Sequence, residues 1–425
     1  MGRLQPTTAA GAAVLLAAAA GIGLVYYEGR TYDAEVARLI ERAKAEGFDV
    51  SYVESERTFL GRTFRLGLTE AGESLYWTGN TRFGWGVKSR LALDQTEGLG
   101  TLLAKAGVRG FEDELVLSWS PFGSLRPVTW RGSAFAWHDE SLGTTWSFGE
   151  QTISVSPAGD GAYPTIAYAF EGVRVKDTDV LEGAEERKVW TELGPVRLDY
   201  RGLADEGADM TLTIERAAVT DDFSAGKTTL AYRLERVKDK ASTSEGQTGG
   251  GVLDTVESEP NYTENVMLTV EKPVVNGVAN DRFSVRARLT GLTAGMIEEF
   301  AAIGTGVFLG GITEQQLFTA LGAVQNAFVT GGLVWELDEC VLTRGNAAAS
   351  LTGHLAYEAP DATTSGASPR LGAFQMSIPE TFVQPDAVAA PLAQGAVKLV
   401  DGNLVSHFEI FADRITANGV LLESF

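Results

Sequence analysis

From Phe48 onward the chain carries apolar residues at every second position. Phe64, Leu66 and Leu68 share one parity, as do Leu115, Leu117 and Trp119. The period recurs at Leu230, Tyr232 and Leu234, and at Val266, Leu268 and Val270. It recurs at Phe283, Val285, Ala287 and Leu289, where Arg282, Arg286 and Arg288 face the other way. Leu351, Leu355 and Tyr357 continue it, followed by Phe374, Met376 and Ile378, then Phe408 and Ile410. Period two with a polar opposite face predicts antiparallel strands that are wet on one side. Such a sheet must cover its apolar side with another sheet, a helix, itself or a ligand.

Three stretches change to a helical period. Thr31 is a suitable N-cap, Val36, Leu39, Ile40 and Ala43 share a face, and Gly47 supplies a stop, so 29–47 reads as an amphipathic helix. A shorter helix is expected near 294–303, with Met296, Phe300 and Ile303 loosely grouped. A better one follows near 313–328, where Leu317, Leu321, Val324 and Phe328 recur at helical spacing after Thr313. This pair needs a sheet face to cover its stripe.

The first 28 residues behave differently. From Ala9 to Tyr27 there is no charge, and the run is long enough to cross a hydrocarbon core of roughly 30 Å. Tyr26 and Tyr27 stand where an interfacial aromatic belt belongs. Ala18-Ala19-Ala20 offers a signal-peptide cleavage site, but Ile22, Leu24 and Val25 carry the apolar run past it. That length favours an uncleaved anchor, and on either reading the rest of the chain is exported. The stretch 238–262 is rich in Gly, Ser, Thr and charge and reads as a flexible linker. The expected organisation is an anchor over 1–28, a helix over 29–47, a β unit over 48–237, the linker, and a second β unit over 263–425. The fold class is mainly β. Its antiparallel sheets form a sandwich, a half-pipe or an incomplete barrel, with a short helix pair and an N-terminal transmembrane helix.

In this order the pieces resemble the YdgA-like family of bacterial cell-envelope proteins, a family of unknown function. The stretch LVYYEGRTYDAEV is similar to that family's anchor and the segment after it, and FDVSYVESERTFLGRTFRLGLT to its first hairpin. The layout continues through VWELDECVLTRGNAAASLTGHLAY and LGAFQMSIPE to the closing GNLVSHFEIFADRITANGVLL. Where many members carry a His-Gly-Pro element, this chain has Arg82-Phe83-Gly84-Trp85-Gly86. The resemblance implies a single-pass bacterial inner-membrane anchor, a periplasmic β-rich body, and no known cofactor or active site.

Composition narrows the chemistry. The 425 residues hold 35 Lys and Arg against 56 Asp and Glu, a net charge of −21. That balance argues against a nucleic-acid partner and against peripheral docking on anionic lipid. One Cys excludes an intramolecular disulfide, and three His leave little for a metal site or His-based catalysis. His138-Asp139-Glu140 reads as a turn beside a strand, since no Gly-x-Ser-x-Gly elbow supplies a nucleophile. His354 and His407 read as strand residues. By strict alternation Asp338 and Cys340 share a strand face and Glu339 points away, with Cys340 a small core residue. No cofactor and no metal are expected.

The aromatic distribution is the most informative feature. Seven of the 8 tryptophans, Trp335 excepted, precede the linker. Large rings filling a sandwich core explain this, and so do an apolar groove for an acyl chain and a protein-binding face. The groove reading selects Trp119, Trp130, Trp137 and Trp146; the core reading predicts the same residues. The expected function is non-enzymatic: binding of a lipid or other apolar ligand in a sheet groove, or alternatively an interaction or assembly role with an envelope protein partner. The membrane itself is engaged through the N-terminal helix.

Overall fold

A computed structural model describes residues 25, 27–38, 40–41, 44–45, 49–70, 73–84, 86–97, 101, 108, 111–119, 126–139, 144–156, 164–177, 191–203, 207–220, 222–237, 261–297, 332–358 and 368–424. The chain is mainly β, built of antiparallel sheets with few helices. It divides into two compact units, 1–199 with 218–220, and 200–217 with 221–425.

In the first unit a helix over 27–38 (α1) precedes strands β1 (Asp49–Thr58), β2 (Gly61–Glu70), β3 (Glu73–Arg82), β4 (Val87–Leu93), β5 (Asp113–Trp119), β6 (Val128–Gly132), β7 (Phe135–Asp139) and β8 (Thr144–Phe148). Then come β9 (Gln151–Ser156), β10 (Thr165–Phe170), β11 (Val173–Asp177) and β12 (Thr191–Leu193). Strands β1 to β6 pair in succession, β6 pairs with β9, and β9 with β10. Strands β7, β8, β11 and β12 leave this meander and form a second sheet. The division between the units passes through β13 (Val196–Gly202).

The second unit continues with β14 (Ala208–Ile214), β15 (Ala217–Thr220, mostly assigned to the first unit), β16 (Phe223–Ala225), β17 (Thr228–Arg236), β18 (Asn261–Glu271), β19 (Val274–Val275), β20 (Val278–Ala279) and β21 (Arg282–Thr293). It closes with β22 (Val334–Arg344), β23 (Ala347–Glu358), β24 (Arg370–Pro379), helix α2 (Pro385–Gln394), β25 (Lys398–Val400), β26 (Asn403–Phe411), β27 (Arg414–Ala417) and β28 (Val420–Ser424). Here β14, β17, β18, β21, β22, β23, β24, β26, β27 and β28 pair in that order.

Several expectations meet the structure directly. The stretch read as a linker, 238–262, connects β17 to β18, and these strands pair from Thr228↔Val270 to Arg236↔Tyr262. Both strands belong to the second unit; residues 238–260 themselves lie outside the described residues. Helix α1 begins by Tyr27 and not at 29, and Val25 is also helical, so the helix overlaps the expected anchor. The remainder of the anchor, residues 1–24, lies outside the described residues, as do the helix expected at 313–328 and residues 298–303 of the one before it. Residues 294–297 are helical. Among the described residues no helix is long and apolar enough to cross a membrane. Helix α2 was not expected. Its start carries Pro385 and its end Gly395 in the left-handed region, which are ordinary start and stop signals, but its short Ala-rich body has no apolar stripe to reveal it.

Among the described residues, buried apolar side chains form two clusters, with others such as Phe64, Leu91 and Leu404 buried outside them. In the first unit Tyr32, Phe83 and Val87 form one cluster, with Val25, Val36 and Leu117 against it. This cluster fastens α1 to the sheet. In the second, Ala208, Leu234, Tyr262, Leu292 and Leu333 form the other.

Candidate functional site

Antiparallel register turns the alternating sequence pattern into rows of side chains that run across the strands. In the second unit one such row is Met210, Tyr232, Val266, Ala287, Leu337, Gly353, Phe374, Phe408 and Ala417, one residue from each of nine strands. A parallel row holds Leu212, Leu230, Leu268, Val285, Cys340, Leu351 and Met376. All but Ala287, Leu337 and Ala417 in the two rows are only half-buried. At about 4.8 Å per strand the face extends for about 40 Å.

The opposite face is charged. Arg288 meets Glu336 at 2.8 Å and Arg286 meets Glu339 at 3.6 Å. A hollow there of about 430 Å³ is lined by Asp209, Arg233, Asn265, Arg286 and Asp338 among others, charges of both signs. Met210, Ala231, Tyr232, Val266 and Met267 line it as well, so its walls are not wholly charged. The Arg–Glu pairs set this side apart from the apolar rows.

A bulge at Asp338 and Glu339 corrects the alternation expected there. Val285 lies opposite Cys340 and Ala287 opposite Leu337, so one extra residue is accommodated between them. Cys340 thereby joins Leu337 on the apolar face, while Asp338 lines the charged hollow and Glu339 accepts a hydrogen bond from Ser284 at 2.8 Å. Burial pushes the Cys340 thiol up, which favours its protonated form.

One acid lies on the apolar face. Glu264 stands between Leu234 and Leu289. Burial pushes its carboxyl above the usual range, and burial together with this neighbouring charge pushes Tyr232 up to about 12. The folded state therefore holds the Glu264 proton more tightly than the unfolded chain does. Stability from this group is full below the ordinary Glu value of about 4.3 and is lost as pH rises through the raised folded value. Glu264→Gln removes that loss. The variant is expected to melt higher than the natural chain at pH 7, by a few degrees where about 1 kcal/mol moves a unit of this size by about 2–4 °C. The two melting curves should coincide near pH 4. A difference that persisted undiminished at pH 4 would assign the effect to packing and not to ionisation.

The first unit has a comparable face. Phe64, Gly79, Leu91, Leu115, Trp130, Ile153 and Tyr168 form a row across seven strands. It is buried from Phe64 to Leu91 and half-buried from Leu115 onward. A Cβ on Gly79 would lie 2.3 Å from the Phe64 ring, so this position admits no side chain.

The four selected tryptophans separate into two pairs. Trp130 lies in the row just described, and its indole N–H donates to Asp113 at 3.0 Å. Trp119 occupies the register position opposite Val87 in the same sheet. Trp137 and Trp146 lie in the second sheet and stack on each other at 6.2 Å. Phe148 stacks on Trp146 at 6.4 Å and Phe135 on Phe148 at 4.5 Å, so this pair belongs to an aromatic strip with Phe135 and Phe148. Phe111 extends the strip, edge-on to Phe135 at 5.3 Å. Among the described residues the buried Trp146 N–H has no hydrogen-bond partner, at a cost of about 1–3 kcal/mol. Trp146→Phe keeps the stack and discards that donor. Its urea midpoint should stay within about 1 kcal/mol of the natural chain, whereas Trp137→Ala should cost about 3 kcal/mol. Equal losses in both would mean that the indole N–H is satisfied in solution. Trp85 and Trp190 lie outside the described residues.

The histidines do not converge on a catalytic group. Exposed His138 lies 3.1 Å from the Thr145 hydroxyl, and His354 lies 3.4 Å from Glu358. Among the described residues no group of three or more His, Cys, Asp and Glu is placed to hold a metal ion. The geometry defines a class of protein with one-sided antiparallel sheets and long half-buried apolar faces. No family model, no curated protein and no solved structure matches the chain.

Proposed function

We propose that this is a membrane-tethered envelope protein whose sheets act as a half-pipe for the acyl chain of a lipid. The carrying observation is the apolar face of the second unit, which crosses nine strands and stays half-buried along most of its length. Contiguous apolar surface of this extent is costly in water and marks a binding surface in soluble domains. Its shape selects the ligand. A long strip with few polar atoms suits an extended hydrocarbon and offers nothing to a sugar, a nucleotide or a peptide backbone. The uncharged run over 9–27 would hold the body beside a source of such chains.

The test places a photo-crosslinking amino acid on the two faces of one strand in cell membranes. Position Leu268 is expected to capture lipid and the adjacent Thr269 to capture none. Equal capture at both positions would remove the groove. Capture of a defined protein at Leu268 would replace this reading with an assembly role.

A further inference from the structure

We propose that the β1–β2 turn at Phe59 and Leu60, together with Tyr27, seats in the interfacial layer of the bilayer. The proposal rests on the reading of 9–27 as an anchor.

The course of α1 carries the argument. The Tyr32 hydroxyl accepts from the Thr81 hydroxyl at 3.1 Å, and Thr81 bonds Ser89 at 2.7 Å, so this part of the helix lies over β3 and β4 just inside the turn that joins them. Four residues earlier the two carboxyl oxygens of Glu28 accept from the Gly84 and Gly86 amides, both at 2.7 Å, beyond the ends of those strands. Traced backward at about 1.5 Å per residue, the helix therefore runs out past the β3–β4 turn. The β1–β2 turn lies at the same end. The Phe83 amide donates to the Leu60 carbonyl at 2.9 Å. A Cβ on Gly29 would lie 3.6 Å from the Phe83 ring and 3.7 Å from Arg62. Tyr27 and the start of α1 thus lie at the end of the sheet that carries Phe59 and Leu60.

At that end three large side chains face outward. Tyr27 is 56% exposed, Phe59 51% and Leu60 61%. Their chemistry is that of the aromatic and aliphatic groups that settle at the boundary of headgroups and acyl chains. The turn is rigid, since Arg62 donates to the Thr58 and Gly61 carbonyls at 2.7 and 3.0 Å and lies over the Phe83 ring. A preformed turn loses little conformational freedom on insertion.

The test uses the full chain with Cys340→Ala and a polarity-sensitive dye on Leu60→Cys, reconstituted in vesicles of phosphatidylethanolamine with a minor anionic share. Val53→Cys is the comparison, because it is likewise 61% exposed but lies on β1 away from the turn. Emission from position 60 is expected to shift to the blue and to be quenched by brominated acyl chains, with neither effect at position 53. Water-like, unquenched emission at 60 overturns the proposal. An alkaline carbonate wash of the same vesicles separates the two readings. A chain that stays in the membrane with an unquenched label at 60 keeps the anchor and loses the contact. A chain that washes off loses the anchor; quenching at 60 before the wash then upholds the contact as a peripheral one, and no quenching removes both.

Discussion

Glu28→Ala is expected to destabilise the first unit by about 3–5 kcal/mol, the largest single loss among the surface-to-sheet contacts of α1. Glu28 is 2% exposed, and its two oxygens satisfy two backbone amides at 2.7 Å. Alanine removes the acceptor of both the Gly84 and the Gly86 amide, which are partly buried. Each orphaned donor costs about 1–3 kcal/mol. The loss then spreads, because the same helix brings Tyr32 to Thr81 and Asp33 to Arg62 at 3.2 Å. Arg62 is 8% exposed, so losing Asp33 would strand a buried cation with only Glu54 nearby, at 3.7 Å. Glu28→Gln should cost roughly half as much, since one oxygen still accepts. Urea unfolding of the full chain reads this as an earlier first transition, accompanied by proteolysis between α1 and β1. An unchanged midpoint in Glu28→Ala would mean that the helix is held by its apolar contacts alone.

Leu351→Arg is expected to remove lipid capture at neighbouring positions of the second unit. Leu351 lies between Cys340 and Met376 in the middle of the apolar face and is half-buried. A guanidinium there has no acid on its own face within the two neighbouring strands. Held over hydrocarbon it would pay several kcal/mol of desolvation, which is more than one methylene-rich contact returns. Capture at Leu268 should fall by about tenfold or more for each 1.4 kcal/mol of lost affinity. The partner variant Thr352→Arg points to the charged side and should leave capture unchanged. If Thr352→Arg were the damaging one, the ligand would lie on the other face and the half-pipe reading would fail.

Much of this architecture was legible in the residues. The parity of Leu230, Tyr232 and Leu234 and of Val266, Leu268 and Val270 places them on one face, and in the structure they are direct cross-strand neighbours. Parity was legible because side chains of a strand alternate regardless of its partner. It failed at Asp338 and Glu339, where an inserted residue changes which side the rest of the strand presents. Nothing within β22 signals that insertion, because a bulge exists only relative to the strand beside it. The stretch 238–262 was read as a boundary on composition. Long hairpin loops and interdomain linkers share the same need for polar, flexible residues, so composition does not separate them.

The candidate site divided in the same way. Trp119, Trp130, Trp137 and Trp146 are close in sequence and all lie in strands or at strand ends, as the pattern implies. That β7 and β8 leave the meander, carrying Trp137 and Trp146 to a second sheet with Phe135 and Phe148, follows from which strand edges find partners. That choice is made by hydrogen bonding between segments far apart in the chain. By itself the sequence determined the strand class, the one-sidedness of the sheets and the uncharged N-terminal run, because each depends on the period and charge of a single segment. Tertiary structure alone decided which rows of side chains become continuous, where the bulge lies and how Glu28 docks. Those depend on register and contact between segments, and neither is a property of any one of them.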